Sequence, residues 1–283
     1  MTHLNGDSAW LFCFPRPADE REDAGKAYFH VVLDPWLTDD PAVFLARWAI
    51  ERAAGSPSCD DATVDVIVIS CWAPDHTHWA SLLTFDPSVP VFTTPAAGWV
   101  IWTRRHFNRI VSLAVFDGKS WEAGRPSAPF PPWLSVFSIN SNSIDFGLAF
   151  VWSRNNAHET LLYLPHAASM NQGFGLLELL EVSHDLKIRA IMHPTKDVFR
   201  YESSQVEGIK EGIKIYRKAR PDYWIISSND TLAYQGVVMK GLKDYPRTID
   251  WGLEQERKVS SDQALGMSQP NVVEVDSGSH FVL

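Results

Sequence analysis

Short apolar runs separated by polar turns recur along the whole chain. Runs of about four to eight β-branched or aromatic residues are typical of strands, whereas apolar positions three or four residues apart indicate helices. The pattern predicts helices over residues 95–109, 173–182 and 203–219. It predicts strands over residues 8–15, 27–33, 64–69, 89–93, 110–116, 133–139, 144–152, 161–164, 188–192 and 223–226.

The order of these elements differs between the two halves of the chain. The first half is rich in hairpins, and the second half alternates strand and helix. Two mixed sheets packed face to face with helices outside, a four-layer αββα sandwich, fit this order. We expect a single domain over residues 1–283, in which residues 253–283 form a C-terminal extension or a last hairpin of 272–276 and 281–283. Residues 41–54 fit an amphipathic helix or a long flap.

Polar side chains that can bind metals or move protons follow several predicted strands. Because loops at the carboxyl ends of strands in open α/β sheets meet at one edge, we expect these residues to share one site. They are Asp34, Asp75 with His76, His166, His193, and Asn229 with Asp230.

The loop after the strand at 64–69 holds the densest group of such residues. Cys71 comes first, Pro74 then keeps the loop out of a helix interior, and Asp75, His76 and His78 follow. An acid beside a histidine can act as a general base pair, and Cys71 is a candidate nucleophile if an imidazole lowers its pKa. The alternatives are structural: Asp75 or a histidine as the cap of the helix that begins near residue 79, and Cys71 as a small buried apolar residue.

Composition and charge exclude several classes of function. The net charge of −9, from 25 basic and 34 acidic residues, argues against a nucleic-acid partner. The first residues lack a secretory signal pattern and no apolar run reaches membrane-spanning length, so we expect a cytoplasmic protein with no membrane partner. Three cysteines without CxxC spacing argue against a disulfide framework and a zinc knuckle. An oligomer is compatible with the sequence.

The 12 tryptophans are unusual for a chain of 283 residues. Several lie beside polar turns, among them Trp36 and Trp72. They either pack in the core and its rim or form the wall of a cavity for an apolar or aromatic small molecule. In the second case we expect Trp36, Trp72, Asn229 and Asp230 to contact the substrate.

The order of these motifs resembles the metallo-β-lactamase-fold superfamily. The superfamily's H-x-H-x-D-H loop aligns with Cys71, Ala73, Asp75 and His76. The stretches Leu33-Asp34-Pro35-Trp36-Leu37 and Tyr163-Leu164-Pro165-His166 are similar to those of a divergent branch, frequent in fungi, that also lacks the first two histidines. The likeness covers roughly residues 5–252 by pattern order. It implies an αββα sandwich of metallo-β-lactamase type, with Asp34 bracing the metal loop from behind.

The resemblance also implies a reduced metal site. The third motif has no histidine between residues 137 and 146, His166 stands where the superfamily has a bridging aspartate, and residues 228–231 replace a histidine-bearing run. A two-zinc site therefore lacks its usual ligands. Either Asp75, His76 and His166 bind a single zinc ion with water, or no metal binds.

These considerations predict a small-molecule enzyme. The first expectation is hydrolysis of an ester, thioester or lactone, as in secondary metabolism, by water that Asp75 and His76 assist. Catalytic candidates are Asp75, His76, His78, His166 and Cys71. The alternatives are a metal-independent cyclase, isomerase or lyase acting on a polycyclic or aromatic metabolite in the same pocket, and a non-catalytic pseudoenzyme that binds a partner.

Overall fold

Six strands from the first half of the chain form one mixed sheet. The structure is a computed structural model that describes residues 1–5, 7–37, 42–43, 48–51, 64–124, 127–140, 146–166, 168, 170–171, 175–201, 203–228, 233–235, 240–259 and 269–283. The first three strands pair antiparallel, and the others join in parallel. In sheet order they are β1 (Thr2–His3), β2 (Trp10–Pro15), β3 (Tyr28–Leu33), β6 (Val66–Ile69), β7 (Val91–Thr93) and β8 (Ile110–Ser112).

The second half forms a second sheet with a similar plan. An antiparallel meander comes first, and three strands are then added in parallel. In sheet order the strands are β9 (Leu134–Asn140), β10 (Phe146–Arg154), β11 (Ala157–Tyr163), β12 (Leu186–His193), β15 (Tyr223–Ile226) and β18 (Val272–Val273). Two small sheets flank these: β14 (Ser203–Val206), β13 (Asp197–Arg200) and β17 (Leu242–Tyr245), and β16 (Ala233–Gln235), β5 (Trp48–Glu51) and β4 (Ala42–Val43).

The two large sheets pack face to face through alternate residues of their strands. In β2, Phe12 and Phe14 are buried while Leu11 and Cys13 point to the other face, as the two-residue period of a strand requires. The ring of Phe12 meets that of Phe150 from the second sheet edge-on, with centroids 5.2 Å apart. One continuous apolar cluster therefore fills the space between the sheets.

Helices cover the outer face of each sheet. Apolar residues of α2 (Trp79–Leu82) and α3 (Pro95–Thr103), such as Leu82 and Ile101, join Ile67 of the first sheet in one cluster. Residues of α4, α5 and α6 pack with Trp224 of the second sheet in another. The helices are α1 (Ala18–Ala24), α2 (Trp79–Leu82), α3 (Pro95–Thr103), α4 (Gly175–Val182), α5 (Gly208–Ala219) and α6 (Ile249–Val259). The predicted four-layer αββα sandwich is thus confirmed, whereas the extent of the domain stays a prediction.

The helix predicted over residues 203–219 begins only at Gly208. Residues 203–206 form strand β14, which pairs antiparallel with β13. The amide of Gly208 donates to Asp197 Oδ1 at 3.0 Å, and a Cβ at this position would lie 2.1 Å from the Lys196 carbonyl oxygen. Because only glycine tolerates such a close backbone approach, this contact fixes the start of the helix.

Two other regions differ from what their pattern predicted. The described parts of residues 41–54 are the paired strands β4 and β5, so they do not form a helix, and the alternative of a long flap stays a prediction. The last hairpin is also absent: β18 joins β15 in parallel, and a turn at 276–279 then leads the chain beside β1, where the Phe281 amide donates to the Met1 carbonyl. The apolar pattern identified the strand at 272–273 but not its neighbour β15, and it did not identify β4 and β5.

Candidate functional site

Asp34 and Ser70 lie directly after two neighbouring parallel strands, β3 and β6. Residues at the ends of such strands meet at the same edge of the sheet. Asp34 Oδ1 accepts a hydrogen bond from the Ser70 amide at 2.7 Å, and Oδ2 accepts one from the Ser70 hydroxyl at 2.5 Å. The backbone of Asp34 has a φ of 46°, a left-handed conformation that Asp adopts more readily than most residues. The strand ends therefore place a buried carboxylate at the edge of the sheet.

A turn after Ser70 brings His76 back to this carboxylate. The amides of His76 and Thr77 both donate to the carbonyl oxygen of Ala73, at 3.0 and 2.9 Å. His76 Nδ1 then lies 2.7 Å from Asp34 Oδ2. Because an ionised carboxylate can only accept, Nδ1 carries the proton that it donates. In the neutral ring the lone pair is consequently on Nε2, on the side away from Asp34.

Tyr163, the last residue of β11, is another donor to Asp34. Its hydroxyl donates to Asp34 Oδ2 at 2.9 Å, and both residues are fully buried. Burial, together with the negative charges of Asp34 and Asp7, raises the pKa of Tyr163 well above its ordinary value of 10. The phenol therefore keeps its proton and remains a donor. Asp34 in this way links the loops of both large sheets.

Three potential metal ligands converge on the far side of the His76 ring. His76 Nε2 lies 3.0 Å from His166 Nε2 and 3.5 Å from Asp75 Oδ2. One ligand atom from each of the three residues lies within 4.8 Å of the other two. Asp75 and His76 are buried, and His166 is partly exposed. Among the three, His166 is therefore the residue that reaches the surface.

The donor set fits a single zinc ion. Two imidazole nitrogens and a carboxylate oxygen are typical of catalytic zinc sites, which leave a further position for water. Donors about 2.0–2.2 Å from a tetrahedral ion lie roughly 3.3–3.6 Å apart. The separations from His76 Nε2 are 3.0 and 3.5 Å, and the remaining pair lies within 4.8 Å. Asp75 Oδ1 is buried and has no hydrogen-bond partner among the described residues. The Asp75 carboxylate therefore has an oxygen free to bind a cation beside the two histidines.

Competing effects set the charge of His76. Burial by itself lowers its pKa, but the carboxylates of Asp34 and Asp75, with a smaller effect of Asp7, outweigh burial and raise the pKa from 6.5 to about 9. Without a cation the ring is therefore protonated at neutral pH, with Nε2–H directed at Asp75 and His166. A protonated imidazole cannot accept another proton, so His76 alone is a poor general base at pH 7.

Several residues of this site were not identified from the sequence. Ser70 and Tyr163 both lie at strand ends close to residues that were identified. Ser70 directly precedes Cys71, and Tyr163 lies three residues before His166. Asp7 is buried between β1 and β2, and its backbone carbonyl accepts from the Ser228 amide at 3.0 Å. No pattern in the sequence marked Asp7, whose carboxylate charge acts on both His76 and Tyr163.

Two catalytic candidates of the same loop have structural roles here. His78 is the N-cap of α2: its Nδ1 accepts from the Ser81 amide at 3.4 Å and lies 2.7 Å from the Ser81 hydroxyl. These contacts direct the ring into α2 and give it a structural role, and the catalytic role of His78 stays a prediction. Cys71 is buried, and its sulfur accepts from the Ala73 amide at 3.4 Å. Its role as a nucleophile stays a prediction.

The four predicted substrate-contacting residues have different environments. Trp36 is 0% exposed, and its ring packs in the core, 6.2 Å from that of His78; its contact with substrate stays a prediction. Trp72, in the same loop as His76, is 38% exposed and presents an indole to solvent. Asn229 and Asp230 lie outside the described residues.

His193 ends β12 and lies apart from the cluster of Asp75, His76 and His166. It is fully buried, its Nδ1 donates to the Pro194 carbonyl at 2.8 Å, and its ring meets Trp224 edge-on at 5.9 Å. Burial lowers the pKa of His193 to about 4. The residue is therefore a neutral core histidine at physiological pH.

This burial predicts a loss of stability in acid. The unfolded chain binds a proton at residue 193 below about pH 6.5, whereas the folded chain does so only near pH 4. The contribution is complete above pH 6.5 and is lost as the pH falls toward 4, by about 3 kcal/mol in total. Urea unfolding of the wild type and of His193→Gln, which does not titrate, should show this difference in slope. Parallel pH profiles would contradict the assignment.

Comparisons with known proteins support the architecture. No protein-family model matches the chain, and no curated protein matches it in sequence. Solved structures do match. An isothiocyanate hydrolase from Delia radicum gut bacteria has a TM-score of 0.58 at 10% identity, covering 100% of this chain and 98% of its own. A metallo hydrolase from the archaeon Ignicoccus hospitalis has a TM-score of 0.52 at 11% identity, covering 98% and 95%.

A further match names the fold. A metallo-β-lactamase-fold protein from Bacillus subtilis has a TM-score of 0.52 at 11% identity and covers 98% of this chain and 94% of its own. Identities this low establish shared architecture and leave the reaction open. The two face-to-face mixed sheets, the outer helices and the site at the strand ends together agree with these matches. The protein has the metallo-β-lactamase fold.

Proposed function

We propose that the protein is a hydrolase that cleaves an ester, thioester or lactone bond in a small organic molecule, as in secondary metabolism. The observation that supports this most directly is the convergence of Asp75, His76 and His166 on one point at the sheet edge. The structural neighbours include an isothiocyanate hydrolase and a metallo hydrolase, which agrees with hydrolysis as the reaction class.

Asp75, His76 and His166 would hold one zinc ion. When bound, zinc supplies Lewis acidity and lowers the pKa of a coordinated water toward neutrality. We expect one ion, not two, because the first and third motifs lack the histidines that a second ion would need. The charge of His76 favours this version over a metal-free one, because an imidazole with a pKa of about 9 is already protonated at neutral pH and cannot serve as the base.

The protein's own groups fix the geometry of this site. Asp34 holds the proton on His76 Nδ1, so that the ring presents Nε2 in one orientation. Ser70 and Tyr163 hold the Asp34 carboxylate in turn. This hydrogen-bonded support is buried, so it keeps its arrangement while a substrate enters or leaves.

The exposed indole of Trp72 suggests the class of substrate. It belongs to the same loop as Asp75 and His76 and is 38% exposed. An aromatic face beside a hydrolytic site favours apolar or aromatic acyl groups over charged ones. A neutral aromatic ester, thioester or lactone is therefore the substrate that the site favours.

The experiment is a hydrolysis assay on aromatic esters, thioesters and lactones with the full-length protein. The protein is stripped with chelator, dialysed and reloaded with zinc. We expect one bond class to be hydrolysed well above the buffer rate, the rate to fall on stripping, and zinc to restore it. If zinc-loaded protein hydrolyses none of the three bond classes, the proposed function is wrong. If stripping leaves the rate of hydrolysis unchanged, the zinc ion is not part of the mechanism.

A further inference from the structure

Helix α3 exposes an unusually apolar surface. Its nine residues, PAAGWVIWT, include no charged side chain. One face is buried against the first sheet through Ala97, Gly98 and Ile101. Trp99 and Trp102 lie on another face, one helical turn apart, and are 69% and 62% exposed. A surface helix of a soluble domain normally carries charged or polar residues at such positions.

Positive charge lies next to these indoles. Arg104, Arg105 and Arg109 follow α3, and all three are exposed. Residues 87–116 include no Asp or Glu, although the whole chain has a net charge of −9. The nearest acids along the chain are Asp86 and Asp117, at the two ends of this segment. The surface of α3 and the residues after it therefore combines large aromatic rings with cations that have no acidic neighbour within this segment of the sequence.

The helix that follows the site loop lies close to this surface. The guanidinium of Arg104 is 5.4 Å from the ring of Trp79, the first residue of α2. Since α2 begins directly after the loop that carries Asp75 and His76, the aromatic and cationic surface is connected to the candidate site by one short helix.

We propose that Trp99, Trp102, Arg104 and Arg105 form a docking surface for an anionic lipid membrane. Indole rings favour the headgroup region, where an apolar ring and an N–H donor both find partners. Arginine side chains next to them can reach lipid phosphates, and each cation near an anionic bilayer adds attraction. No helix among the described residues has the length and apolar character needed to cross a bilayer. The contact is therefore peripheral, and it revises the expectation of no membrane partner.

A protein partner fits this surface less well. A Trp side chain buries at most about 150–250 Å², so two partly exposed indoles supply roughly 300 Å². A stable protein interface needs about 800 Å² per partner. A symmetric pair of copies would also place the arginines of one chain opposite those of the other. A lipid surface has neither restriction, because it is continuous and can be anionic.

The test is co-sedimentation of the full-length protein with phosphatidylcholine vesicles with and without phosphatidylserine. We expect the wild type to bind the anionic vesicles more tightly, with a blue shift of its tryptophan emission. A Trp99→Ser/Trp102→Ser variant should bind at least tenfold more weakly. An Arg104→Gln/Arg105→Gln variant should lose about fivefold per arginine, and only on anionic vesicles. Tyr201→Ser is the matched control, since Tyr201 is also 69% exposed.

Two binding results would contradict a membrane-docking role for this surface. Wild type that stays in solution with anionic vesicles would overturn the proposal, as would equal binding by the wild type and the Trp99→Ser/Trp102→Ser variant. Light scattering measures the oligomeric state and so distinguishes a membrane from a second copy of the chain. A dimer that the tryptophan substitutions dissociate, with no vesicle binding, would assign this surface to a second copy instead. All substituted side chains are exposed, so thermal unfolding should be unchanged in each variant.

Discussion

Replacing His76 with alanine is expected to lower hydrolysis by about a thousandfold or more, with the chain still folded. The substitution removes a nitrogen that lies 3.0 Å from His166 Nε2 and 3.5 Å from Asp75 Oδ2. It also disconnects Asp34 from the ligand cluster. Loss of a positioned catalytic group typically costs 10²–10⁴-fold, and loss of a ligand's support about 10–100-fold more. The measurement is kcat/KM on the best substrate of the hydrolysis assay, with circular dichroism as the check on folding.

His78→Asn is the matched control for this variant. It removes a buried histidine only two residues away, but asparagine is itself a favoured N-cap, so α2 keeps its start. We expect activity within about threefold of the wild type, because an exchange of good caps perturbs stability by only a few tenths of a kcal/mol. A loss at residue 78 as large as that at residue 76 would return His78 to the catalytic machinery. Full activity of His76→Ala would refute the assignment of the site.

Replacing Asp34 with alanine is expected to cost about 3–5 kcal/mol of unfolding free energy, as does removal of one partner from a buried charged network. Asp34 is fully buried and accepts four hydrogen bonds, two of them from Ser70 and the others from His76 and Tyr163. Without the carboxylate these buried donors lack their acceptor. Alanine also tolerates the φ of 46° poorly. Urea unfolding at pH 7.5 measures the loss.

Asp34→Asn separates the two causes. Asparagine accepts the left-handed conformation and keeps one acceptor oxygen, but its NH₂ group faces donors that a carboxylate would satisfy. We expect a loss of about half that of the alanine variant. An Asp34→Ala variant within about 0.5 kcal/mol of the wild type, the range of ordinary surface substitutions, would show that Asp34 does not support the site.

The layers of the fold could be predicted because strands and helices leave local marks in the sequence. Alternation such as that of Phe12 and Phe14 identifies a half-buried strand within a few residues. The errors had two causes. Residues 203–206 form a tight hairpin with β13, which ends only three residues earlier, although their spacing also fits a helix. The C-terminal residues, by contrast, pair with β1 and β15, which are distant along the chain.

The site shows the same division between local and distant information. Asp75, His76 and His166 were recognisable, because each follows a predicted strand in an order that resembles a known superfamily. The hydrogen bond of His76 Nδ1 was not: the sequence paired His76 with the neighbouring Asp75 as a general base. The resemblance gave Asp34, 42 residues away, only as a brace behind the loop, and the structure places its carboxylate on Nδ1. Tyr163, 129 residues from Asp34, completes the arrangement. Pairings across the two sheets follow from the fold, which local spacing does not encode.

The cytoplasmic location stays a prediction.

The central claim is that Asp75, His76 and His166 bind one metal ion. Equilibrium dialysis of chelator-stripped protein against zinc, followed by elemental analysis, tests it most directly. His166→Ala is the informative variant, because His166 is partly exposed and its truncation should leave the fold intact. The prediction is one zinc ion per wild-type chain and a loss of affinity of about 10–100-fold or more in His166→Ala. Wild type that binds no zinc, or His166→Ala that binds zinc as tightly as the wild type, would contradict the account.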